Sequence, residues 1–143
     1  MFEKYNEKAR RALFFARYEA SVLGSNKIDI DHLLLGILRE RSEIDNLIDD
    51  QSADALRSAL IARIGQGAPI PPSNEIPFSR DAKAALERAA AEADLLGHAH
   101  IGTEHLLLAA LVVRPMDLSG ITVTQSLDAD SVRKRIRDRP ART

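Results

Sequence analysis

The chain has 143 residues, enough for one domain or two small units that share a core, and too few for a multidomain enzyme. With 45% hydrophobic and 29% charged residues it reads as folded and globular, and a formal charge of -1 leaves no overall field that would draw it to nucleic acid or an anionic membrane. The absence of cysteine excludes disulfides, thiolate metal sites, thiol nucleophiles and redox chemistry and fits a cytoplasmic location, while two Tyr, four Phe and no Trp make aromatic platforms for bases or sugars scarce.

The opening MFEKYNEKARR lacks the apolar stretch of a signal peptide. The longest run free of polar residues, Leu106 to Val113, falls far short of the roughly 20 residues of a spanning helix, so no membrane partner is expected. Sliding the sequence by 73 positions lays SVLGSNKIDIDHLLLGIL over DLLGHAHIGTEHLLLAAL, with Gly24 on Gly97, Ile28 on Ile101, His32 on His105 and the leucine triplets on each other. Upstream, Ala9, Ala12, Leu13, Ala16, Glu19 and Ala20 recur as Ala82, Ala85, Leu86, Ala89, Glu92 and Ala93. The chain is internally duplicated.

The first helix of each copy carries an apolar stripe, Tyr5 to Leu23 and Phe78 to Leu96. Asn6 and Ser79 stand where an N-cap is wanted, and Gly24 and Gly97 where a left-handed residue ends a helix. Glu19 and Glu92 recur in mid-helix with arginine neighbours, which reads as a surface pair serving solubility rather than as paired catalytic acids. A second, leucine-rich helix spans about 31–39 and 104–112 and reads as buried on all sides. A third, weak segment covers about 43–50. A fourth helix, Ser52 to Ile64, carries Leu56, Leu60 and Ile64, and Asp128 to about Asp138 repeats it with Val132 and Ile136 after a three-residue difference.

The expected fold is all-α: two four-helix repeats, about eight helices, related by a pseudo-twofold axis, with Leu33 to Leu35 and Leu106 to Leu108 central to the core. Repeat one spans 1–65, repeat two 78–139. Between them GQGAPIPPSNEIP reads as an exposed linker over 66–77. The tail from Arg133 holds six basic residues, read as a frayed, solvated helix end rather than a nucleic-acid patch. The chain closes on RDRPART without entering another helical pattern, which reads as a natural end.

GHAHIGTEHLLLAAL and SNKIDIDHLLLGIL resemble the core of the amino-terminal repeat domain of the Clp-type ATPase chaperones, and IGQG followed by IPFSRDAK is similar to the linker and fifth-helix start of the Clp C-type members. The resemblance covers almost the whole chain. It implies a module that docks protein substrates and adaptors of the Clp protease machinery, and in some members binds phosphorylated arginine. In the first copy Asp29-Ile30-Asp31 replaces the Gly-Thr-Glu that the second keeps as Gly102-Thr103-Glu104. Thr103 is then the natural N-cap of its helix, whereas Ile30 has no side-chain oxygen and Asp29 or Asp31 must serve.

No glycine is followed by lysine, so no P-loop can form, and neither a Gly-x-Ser-x-Gly elbow nor a cysteine offers a nucleophile. A binding module without catalysis or cofactor is the expectation. His98, His100 and His105 invite a metal site, but Ser25 and Lys27 replace the first two in copy one and a four-ligand set is missing. His32 and His105 read as buried, hydrogen-bonded structural residues, with no metal expected. A His-based metal enzyme and a basic-tail nucleic-acid binder are the rival classes.

Asp31 and Glu104 stand at equivalent helix mouths, where a carboxylate can accept two parallel bonds from a guanidinium. The repeat alignment sets Lys4 and Asn6 beside the first acid and Ser79 and Arg80 beside the second, groups that with free helix N–H groups favour a phosphate. That combination suits phosphoarginine. Because Glu104 sits in the intact motif and Asp31 is a methylene shorter, the second copy is expected to bind better.

Overall fold

The computed structural model describes residues 3–44, 46–116 and 128–138. Six helices form: α1 (Glu7–Leu23), α2 (Ile30–Glu40), α3 (Asp50–Ile64), α4 (Arg80–Leu95), α5 (Thr103–Val113) and α6 (Ala129–Arg137). No strand occurs among the described residues, so the chain is all-α. The eight expected helices are not reached there. Of the expected 43–50 segment, residues 43, 44 and 46–48 lie in turns and a bend, with Ile44 N–H donating to Arg41 O and Leu47 N–H to Ile44 O, and Asp49 and Asp50 already belong to the cap and start of α3. Ile44, Leu47 and Ile48 are buried at helix-like spacing. The stretch nevertheless lies between the left-handed Arg41 that ends α2 and the Asp49 cap of α3, too short for a helix to nucleate. Its counterpart within 117–127 lies outside the described residues.

α2 and α5 pack on each other at the centre, α1 against α2 and α4 against α5, with α3 and α6 at the flanks. This central position explains leucine on every side of both helices: Leu33 to Leu35 and Leu106 to Leu108 are all buried. The caps form locally. Asn6 Oδ1 accepts from Ala9 N–H at 2.8 Å and Ser79 Oγ from Ala82 N–H at 3.0 Å, and Gly24 and Gly97 take φ of 73° and 72°. Gly36 has a different duty. A Cβ there would meet Ala12 O and lie 2.7 Å from Ala16 N, so α1 and α2 touch backbone to backbone.

Two short parallel pairings join the copies. Asn6 N–H donates to Ile101 O (3.0 Å) and Ile101 N–H to Lys4 O (2.8 Å), while Ile28 N–H donates to Pro77 O (2.8 Å) and Ser79 N–H to Ile28 O (2.9 Å). The lead-in to each first helix therefore lies beside the lead-in to the other copy's second helix.

Two surface expectations change, those for the glutamate pair and for the basic tail. Glu19 and Glu92 are buried, at 3% and 0% exposure, each anchoring the last helix of its copy: Arg57 donates to Glu19 at 2.9 Å and Arg133 to Glu92 at 2.9 and 3.1 Å. Residues 66–77, mostly exposed as expected, are strapped to α1, since Arg17 donates to Pro72 O and Asn74 O, Ile70 N–H donates to Ser21 O, and Ser21 Oγ–H donates to Ile70 O. Of the basic tail, Arg133 turns in to Glu92 and Arg135 donates to Leu47 O at 3.0 Å, so these two are structural; 139–143 lie outside the described residues.

Candidate functional site

Both central helices open with the same local device. Asp29 N–H donates to Nδ1 of His32 at 2.9 Å, and Gly102 N–H to Nδ1 of His105 at 2.8 Å. An imidazole three residues into the helix thus takes an orphan backbone donor, the duty usually given to Glu or Gln. With Nδ1 accepting, Nε2 carries the proton and donates outward, to Ser25 Oγ from His32 (2.9 Å) and to His98 Nδ1 from His105 (2.8 Å). Burial depresses the His32 pKa below its ordinary value of 6.5, against the pull of Asp29, Asp31 and Glu19. The second copy's imidazoles bond directly to one another, His100 is exposed, and no group of three metal-ligating side chains occurs among the described residues.

The helix caps are Asp29 and Gly102, so Thr103 is the first helical residue rather than the cap. Its N–H and Oγ1 both donate to Glu43 Oε1, at 3.1 and 3.2 Å, and Asn6 Nδ2 donates to the same carboxylate at 3.2 and 3.0 Å. The mouth of α5 is closed by a buried acid from the turn after α2. Glu104 is buried beside it, its Oε1 3.7 Å from His105 Nδ1.

At the mouth of α2 the charges are reversed. Arg114, at the end of α5, donates to both oxygens of Asp29 at 3.1 and 3.0 Å and to Asp81 at 2.8 Å. Ser79 Oγ–H donates to Asp29 at 2.7 Å. Burial would raise the Asp29 carboxyl, yet the bonds from Arg114 and Ser79 hold it below its usual range; the same acids hold Arg114 charged. Asp31 pairs with Arg63 Nε through Oδ2 at 3.1 Å, while its buried Oδ1 has no hydrogen bond and lies 3.6 Å from Arg114 Nη1. A cavity of about 880 Å³ opens here, lined by Ser25, Lys27, Asp29, Asp31, Arg63 and Ser79 among others. Beside it, Lys27, Arg80 and Lys83 line a second cavity of about 570 Å³ at the start of α4.

The structure thus exchanges the expected neighbours. Ser79 and Arg80 accompany the acids of the first copy, and Asn6 the mouth that holds Glu104. Lys4 is exposed and lines an apolar groove of about 580 Å³ with Tyr5, Phe78, Leu86 and Ile101. The repeat alignment fixes equivalence between copies, not which copy's helix start lies nearest an acid. Local sequence patterns do not reach Arg114 and Glu43, because their contacts span 85 and 60 residues. A lone arginine ending a long apolar helix just before Pro115 is the one signal in the sequence.

Comparison with known proteins gives consistent matches. Residues 4–118 match the Clp repeat (R) N-terminal domain family. A chloroplastic chaperone protein ClpC1 of Oryza sativa subsp. japonica is 37% identical over 133 residues, covering 91% of this chain and 14% of that protein. An uncharacterized protein of Mycobacterium tuberculosis is 35% identical over 141 residues, covering 92% of this chain and 53% of its own length. The crystal structure of the N-terminal domain of the caseinolytic protease associated chaperone ClpD from Arabidopsis thaliana superposes with a TM-score of 0.64 at 24% identity, covering 96% of this chain and 97% of that one. The chain therefore spans about one seventh of the rice chaperone and about half of the mycobacterial relative.

Proposed function

The chain belongs to the Clp repeat (R) N-terminal domain family, and on that premise we propose that it is a non-enzymatic module that captures protein substrates or adaptors for a Clp ATPase–protease, or in competition with one. The reciprocal pairings of Tyr5 with Ile101 and Ile28 with Phe78 support reading it as two repeats about a pseudo-twofold axis. The ligand we assign to the module is phosphoarginine, with the mouth of α2 as the better site.

One observation carries this assignment: the mouth of α2 holds a guanidinium, that of Arg114, in two parallel bonds to Asp29. Acids that hold one guanidinium in this way suit another. The start of α4 next to them supplies the anion-binding half, with Ser79 capping the helix and Lys27, Arg80 and Lys83 around it. The mouth of α5 is less suited, because Glu43 already occupies the donors a phosphate would need. This reverses the ranking expected from the intact Gly102-Thr103-Glu104 motif, and the exchange of neighbours between the copies is the reason.

Calorimetric titration with a phosphoarginine peptide, with unmodified arginine as the control for the phosphate, tests the reading. Asp31→Ala should weaken binding by about tenfold or more, the worth of one charge-assisted bond, and Glu104→Ala should weaken it less. No heat and no thermal protection at millimolar phosphoarginine would end the ligand assignment and leave an adaptor-docking module.

A further inference from the structure

The mouth of α2 is already filled by the chain itself, and filled imperfectly. Three carboxylates, Asp29, Asp31 and Asp81, converge on the Arg114 guanidinium. The best bonds go to Asp29 and to the half-exposed Asp81, whereas Asp31, the most buried of the three, keeps Oδ1 without a hydrogen bond. An arginine serving only to staple α5 to α2 and α4 would be expected to satisfy the deepest acceptor first, since a buried unpaired oxygen is costly. Asp31, with Asp29 and Arg114, lines a cavity of about 880 Å³, ample for a second side chain.

The occupant is also not dictated by the fold. Arg41 stands 73 positions before Arg114, yet its left-handed backbone (φ 48°) accompanies a salt bridge to Asp50 at 3.0 Å, and the mouth of α5 is closed by Glu43 instead. The Arg114 side chain remains about a quarter exposed, so the guanidinium site already has an edge open to water.

We propose that Arg114 is a tethered competitor in a guanidinium site formed by Asp29, Asp31 and Asp81, and that an arginine-type side chain of a partner protein enters by displacing it. This rests on the reading that the mouth of α2 takes a guanidinium ligand. The apparent affinity is then the intrinsic affinity multiplied by the fraction of molecules in which Arg114 has swung out. Removing the competitor strengthens binding, whereas removing a structural staple weakens it.

The test measures binding of two probes, methylguanidinium and a phosphoarginine peptide, by calorimetry and by thermal protection of the whole chain. Arg114→Ala should bind both about tenfold more tightly than the wild type, a gain that Asp31→Asn abolishes in the double variant. Arg114→Lys should fall between, because an ammonium cannot reproduce the paired bonds. Arg114→Ala binding neither probe more tightly than the wild type would overturn the proposal. A gain for methylguanidinium without one for phosphoarginine would keep the competitor and remove the phosphoarginine reading. Should Arg114→Ala fail to fold, Arg114→Gln keeps most of the side-chain volume and gives up the charge while leaving all three carboxylates in place; a severalfold gain then supports the proposal, and unchanged or weaker binding refutes it.

Discussion

The mouths of α2 and α5 share a helix start, an N3 histidine and a leucine triplet, yet one is closed by an arginine and the other by a glutamate. The difference begins at the cap. Asp29 brings a carboxylate that needs a cation, whereas Gly102 brings no side chain and leaves the Thr103 N–H and hydroxyl to seek an anion. The two mouths agree in what the backbone requires and differ in the charge that closes them. Contrasting substitutions in the two copies test where that line falls.

The largest contrast is expected where the first two helices of each copy meet. Gly36 allows backbone contact of α2 with α1, and its counterpart Ala109 is buried with its methyl group accommodated. Gly36→Ala forces the helices apart at atoms that cannot rotate away, so a loss of about 3 kcal/mol is expected in denaturant unfolding. The reciprocal Ala109→Gly should cost about 1 kcal/mol, the ordinary helix penalty of glycine. Equal and small losses would mean that the two pairs pack alike.

A smaller contrast concerns the buried glutamates. Glu92 accepts from Arg133 through both oxygens and from Arg88 at 2.7 Å, whereas the two arginines on Glu19 converge on one oxygen at 3.3 and 2.9 Å. Arg133 and, in the same direction, Arg88 hold the Glu92 carboxyl below its ordinary 4.5 against the effect of burial. Glu92→Gln keeps the volume and loses the charge, and should cost about 2 kcal/mol at neutral pH against about 1 for Glu19→Gln. The partly exposed arginines recover hydration, which keeps both figures modest. A greater loss at Glu19 would reverse the order drawn from the bonding.

These cases mark what the sequence makes legible. Helix starts at Asn6 and Ser79, the left-handed glycines 24 and 97, and the buried leucine triplets follow from neighbours a turn away, and the chain states them twice. Glu19 was legible in part, for it stands in the small-residue stripe between Ala16, Ala20 and Leu23, all buried. The exchange of helix starts between copies was not, because a repeat aligned on itself is equally consistent with neighbours in the same copy or in the other. Nor were Arg114 and Glu43: a charge finds its partner through the tertiary fold, and no local pattern encodes that distance.

The smallest expected effect isolates the histidine caps. In the folded chain burial keeps His32 below its ordinary pKa of 6.5, so as pH falls through 6.5 the unfolded chain takes up a proton that the native state resists. Stability from this residue is complete above that pH and declines below it, by at most about 1.4 kcal/mol per pH unit for one proton. Glutamine at position 32 can still accept the Asp29 N–H, as it does in an ordinary capping box, but it does not titrate. His32→Gln should therefore fold, lie within about 1 kcal/mol of the wild type at pH 8, and lose part of the decline between pH 6.5 and 5 in urea unfolding. The acid limb below about pH 4.5, where Glu92 takes up its proton, should remain. An unchanged slope between pH 6.5 and 5 would show that His32 is charged in the folded chain, and Nδ1 could not then be accepting the bond that opens α2.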